Sequence, residues 1–155
     1  MAPKQKDKNM IGPGNNLGIY IEVIRMPLLV FLVVCIISSF FLSFAVLFLI
    51  MDMILFFILA FRIGSIIVHQ REGTIGNAAK AGLIFGLAVG VITAAASIAF
   101  VYMIMLSTNN GEPSIADKLN NLTNPLMIGA IFLMPITSVI TSIIASVMGA
   151  AAFRD

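Results

Sequence analysis

Long apolar stretches separated by short polar ones set the plan of this chain. From Pro27 to Val68 the only charged positions are Asp52 and Arg62. A polar segment, HQREGTIGNAAK at 69–80, separates this stretch from an apolar run at about 81–106. The polar segment STNNGEPSIADKLNNLT at 107–123 follows, and Pro125 opens a last apolar run that ends near Phe153. A helix needs ~20 apolar residues to cross the hydrocarbon of a bilayer, so the first stretch has length for two crossings and each later run for one. The pattern predicts an all-α, polytopic integral membrane protein with four transmembrane helices in a small bundle, at about 26–43, 46–68, 81–106 and 125–152. Two places offer polar residues for the turn between the first two, the hydroxyl-bearing SSFFLSF at 38–44 and the neighbourhood of Asp52 with the only acid, and the break is drawn between about 43 and 46.

Two further segments precede the predicted transmembrane domain at 26–155. Residues 1–16, MAPKQKDKNMIGPGNN, are basic and then rich in Gly, Pro and Asn without periodicity, which predicts a flexible tail on the membrane surface. In 17–25, Leu17, Tyr20, Ile21 and Ile24 recur at helical spacing while Gly18, Glu22 and Arg25 fall elsewhere. This predicts a short amphipathic helix lying in the interface, with Pro27 either a bend or the first turn of the first span.

Composition sharpens the class. Of 155 residues 60% are hydrophobic and 10% charged, with mean hydropathy +1.08; a soluble domain carries about 25% charged residues. The net charge of +2 conceals an uneven placement: Lys4, Lys6, Lys8 and Arg25 precede the first long run, and Arg71 and Lys80 lie in the 69–80 connection. The 107–123 loop has only Lys118, beside Glu112 and Asp117. By the positive-inside rule both termini are expected in the cytoplasm, and an even number of crossings before His69 then requires the hairpin of helices 1 and 2. No basic stripe is interleaved with aromatic residues, so nucleic acid is not an expected partner.

Candidate chemistry is sparse. Cys35 is the only cysteine and His69 the only histidine, so neither an intramolecular disulfide nor a zinc site is expected. The first apolar run far exceeds the ~7–15 residues of a signal-peptide core. Nucleophile-elbow, zinc-protease, phosphate-loop and dinucleotide patterns do not occur. No catalytic residue, cofactor or metal is therefore expected. Asn121-Leu122-Thr123 forms a glycosylation sequon, but it stands too close to the membrane for modification to be expected.

Small and hydroxylated residues carry the remaining signal. Ala78, Gly82, Gly86, Gly90 and Ala94 share one i+4 ridge. In a membrane such a ridge lets two helix backbones approach closely, which offsets the ~1 kcal/mol that each glycine costs a helix relative to alanine. Thr137, Thr141, Ala145 and Gly149 form one row on helix 4, and Ser138, Ser142, Ser146 and Ala150 form the next. The first is read as the packing partner of the glycine ridge; the second, with Pro135 interrupting the helix, could instead line a polar path. Asp52 and Arg62 are the intramembrane charges and hence functional candidates, although ~15 Å of helix separates them. Simple solvation explains both: Arg62 can snorkel to Glu22, Glu72 or a lipid phosphate, and Asp52 can reach water at the outer end. Helices 1 and 2, crowded with Phe, Leu, Ile and Val, suit acyl chains or a broad partner surface.

These features predict a non-catalytic accessory or structural subunit of a larger membrane protein complex, with membrane lipid and other membrane subunits as partners. The alternative is a homo-oligomeric channel or carrier for a small solute or ion, lined by the hydroxyl rows of helix 4. A lipid-binding or membrane-shaping role rests only on the interfacial helix and the basic tail.

Overall fold

The computed structural model describes residues 17–40, 45–109, 120 and 132–152. The 1–16 tail, residues 41–44, the sequon at Asn121, residues 125–131 of the fourth predicted span and Arg154 with Asp155 lie outside them. The described residues form four long helices: α1 (Leu17–Phe40), α2 (Ala45–Ser65), α3 (Ile75–Asn109) and α4 (Met134–Ala151). Each is long and apolar enough to cross a membrane.

The boundaries differ from the predicted ones where local hydrogen bonds outweigh polarity. α1 runs without a break from Leu17 through Pro27 to Phe40, so 17–25 is its first part and not a separate interfacial helix. Tyr20, Val23 and Ile24 are buried in the bundle, and that burial offsets the one helical hydrogen bond Pro27 cannot donate. At the end of α2 the winding loosens into a π-helical turn, Ile66–Gln70. Arg71 N–H donates to the Ile66 carbonyl (3.2 Å) and Gly73 N–H to the Ile67 carbonyl (2.8 Å). Glu72, with φ 52°, supplies the left-handed step that helix ends commonly use to satisfy their last carbonyls.

α3 begins at Ile75, six residues before the predicted start at Ala81, because Thr74 caps it. The Asn77 amide meets the Thr74 hydroxyl at 3.3 Å, and the Asn77 and Ala78 amides donate to its carbonyl at 2.9 and 3.1 Å. A hydroxyl there satisfies amides that the first helical turn leaves without partners. Most of the polar 69–80 segment is thus wound into helix, and the connection shrinks to 71–74.

The bundle is apolar within and without. Phe31 of α1, Phe56 of α2 and Phe85 of α3 form a continuous aromatic layer: the first pair meets edge to face at 5.9 Å and the second stacks at 5.6 Å. Phe85, Ile63 and Ile67 are fully buried. Large apolar side chains nonetheless stand exposed on every helix, among them Met26, Met53, Val91 and Ile136. A water-facing domain would not present so many on all sides.

The glycine ridge and the serine row of α4

α3 and α4 lie backbone to backbone along the glycine ridge. A methyl group added at Gly82 would come within 2.8 Å of the Ser142 carbonyl oxygen, at Gly86 within 2.7 Å of Val139 Cα, and at Gly90 within 2.6 Å of Pro135 Cα. Such contacts leave no room for a side chain. Ala78 and Ala94, at the two ends of the ridge, are buried as well.

The row of α4 that faces this ridge is the serine row. Ser142 and Ser146 are fully buried, and Ser138 is half-buried. Ser146 Oγ donates to the Ala78 carbonyl at 2.7 Å, spending its hydroxyl on the neighbouring helix. Ser142 Oγ is buried without a hydrogen-bond partner among the described residues. Thr137 and Thr141 are exposed, away from α3. Thr137 Oγ1 turns back to the Leu133 and Met134 carbonyls at 2.9 and 3.0 Å, the local alternative open to hydroxyls on helices. The row that meets α3 is therefore not the expected one: Ser142 and Ser146 lie in that contact, and Thr137 and Thr141 stand exposed.

The lower half of the threonine row meets a different helix. Ala145 and Gly149 are buried, and a Cβ at Gly149 would run into the Phe61 carbonyl of α2. Reciprocally, a Cβ at Gly64 would run into the Ser146 carbonyl. α4 is thus clamped between α2 and α3 by Gly64, Gly82, Gly86, Gly90 and Gly149, together with Ser146. Gly64 belongs to no long ladder in the sequence: its one i+4 signal is fully buried Ala60, four residues before it, a single small-xxx-small pair.

Pro135 occupies the first turn of α4, where a missing amide hydrogen costs no helical bond; the two residues before Met134, at 132–133, are π-helical. Pro135 packs against Gly90, and about two turns on along α3 Ser97 Oγ reaches the Thr93 carbonyl at 2.8 Å and Met134 Sδ at 3.7 Å. Thr93 Oγ1 likewise returns to the carbonyls of its own helix.

Asp52 accepts a hydrogen bond from Ser38 Oγ at 3.2 Å, tying α2 to the end of α1. Arg62 is exposed. Glu22 pairs with Arg71 at 2.9 Å, and Tyr20 Oη donates to Asn77 Oδ1 at 2.9 Å. With α1 and α3 starting and α2 ending at the same end, Glu22, Arg25, Arg62, Arg71, Glu72 and Lys80 gather there, and Asp52 stands apart. Among the described residues no three of His, Cys, Asp or Glu come together as metal ligands. No protein-family model matches the chain, and neither a curated protein nor a solved structure matches it.

Proposed function

We propose that this chain is an integral membrane protein that acts as a non-catalytic subunit of a larger membrane assembly. The single observation behind this reading is the use of the Ser142–Ser146 face for packing. Burial against Gly82 and Gly86 removes from water the hydroxyls that a conducting path would need. What α1 and α2 offer outward is a broad surface of Met26, Leu29, Ile36, Met53, Ile54 and Ile58. A rigid core with an apolar exterior suits a scaffold for neighbouring membrane chains. The charged end formed by α1, α2 and α3 faces the cytoplasm in this reading, as the positive-inside rule requires, and both termini lie on that side.

Gentle detergent extraction from the native membrane, followed by size separation and mass spectrometry, tests the reading. Comigration with other subunits in fixed proportion is expected. A homo-oligomer without companions, combined with solute flux in liposomes, would replace it with the channel reading.

A further inference from the structure

A groove of about 370 Å³ runs between α1 and α3, lined by Ile21, Ile24, Leu28, Leu32, Ile84 and Ala88 among others, with Arg25 as the one charged residue in its wall. From Ile21 to Leu32 it extends about 16 Å at the rise of an α-helix, close to the ~15 Å depth of a single leaflet. A packed transmembrane helix would need roughly twice that length.

The polar end of the groove is defined by its neighbours. The Tyr20–Asn77 hydrogen bond fixes the start of α1 beside the start of α3, which brings Arg25 and Lys80 to similar depth. Lys80, Ile84 and Ala88 stand on one i+4 row, so the lysine lies one turn beyond the groove lining toward the charged end of the bundle. Both cations are exposed, and neither has an ion-pair partner among the described residues. The nearby carboxylate, Glu22, one turn before Arg25, is taken by Arg71. Two cations without ion-pair partners among the described residues thus flank the polar end of the groove, Arg25 in its wall and Lys80 one turn beyond its lining, with about 10 Å of apolar slot from Arg25 to Leu32 below them.

We propose that this groove binds one acidic phospholipid of the cytoplasmic leaflet, with an acyl chain along Leu28, Leu32, Ile84 and Ala88 and the phosphate between Arg25 and Lys80. The inference rests on the membrane placement above and is independent of the subunit reading. Basic residues near a membrane surface favour anionic over zwitterionic headgroups, and here that preference is joined to a shaped acyl site.

The test uses the full chain in phosphatidylcholine bilayers containing a minority of phosphatidylglycerol, with resistance to alkaline carbonate first verifying insertion. Native mass spectrometry then counts the lipids that stay bound on release. The wild type is expected to retain one phosphatidylglycerol in preference to phosphatidylcholine. Arg25→Gln with Lys80→Gln should lower that preference about 25-fold, at roughly fivefold per cation. Ala88→Phe, which fills the slot and leaves the charges, should abolish retention, and Arg62→Gln, outside the groove, should leave it unchanged. Equal retention of the two lipids by the inserted wild type overturns the proposal without reference to any variant. So would a wild-type dimer that excludes lipid and is broken by Ala88→Phe. Failure of carbonate resistance would instead overturn the membrane placement itself.

Discussion

Ser142 and Ser146 stand one turn apart on the same buried face of α4, but only Ser146 has found a hydrogen-bond acceptor. Interhelical hydrogen bonds in membranes are worth about 0.6 kcal/mol on average and up to ~1.7, so Ser146→Ala should destabilise the bundle by about that amount. Removing a hydroxyl that has no partner can be neutral or favourable. Ser142→Ala should therefore leave stability unchanged or raise it, and reversible unfolding in mixed micelles will separate the two serines. Glycines divide in the same way. Gly18 has open space where a Cβ would stand, whereas Gly64 faces the backbone of Ser146. Gly18→Ala should stabilise by up to about 1 kcal/mol through helix propensity. Gly64→Ala should cost about 1–3 kcal/mol or more, because backbone cannot yield as a side chain can; equal effects at both positions would contradict the close approach of α2 and α4.

At the scale of elements, the turn between α2 and α3 carries a local strain that can be tested. Glu72 is the only non-glycine with positive φ among the described residues, although Gly73 follows it. A side chain in that region costs roughly 1–2 kcal/mol, partly offset in a glycine by its greater unfolded-state entropy. Glu72→Gly should thus gain up to about 1 kcal/mol in the same unfolding assay. The turn also shows what sequence patterning can and cannot reveal. Four long apolar helices were legible, because lipid-length apolar runs have few alternative explanations. The extension of α3 back to Ile75 was not, since Asn77 and Lys80 read as loop while a single Thr74 cap decides the matter. Nor was the continuity of α1: Pro27 marks a break by propensity, and the burial of Tyr20 and Ile24 overrides it. On α4, two adjacent i+4 rows of small residues differ by only ~100° of rotation. Composition could not say which row meets α3, and the backbone contacts of Gly82 and Gly86 decide for the serines.

Across the whole molecule, polarity is sorted by position. One end collects Glu22, Arg25, Arg62, Arg71, Glu72 and Lys80, the middle is sealed by Phe31, Phe56 and Phe85, and apolar side chains cover the outside of every helix. Ser142 and Ser146 of α4 are buried against α3 within one bundle, and on the proposed reading this face lines no aqueous path. Single cysteines at Ser138, Ser142 and Ser146, in a Cys35→Ala background reconstituted into liposomes, test it directly with a membrane-impermeant thiol reagent. Positions 142 and 146 should resist labelling while a cysteine at the exposed Lys80 reacts. Rapid labelling of 142 and 146 in the folded bundle would contradict this burial and favour a polar path along the serine face.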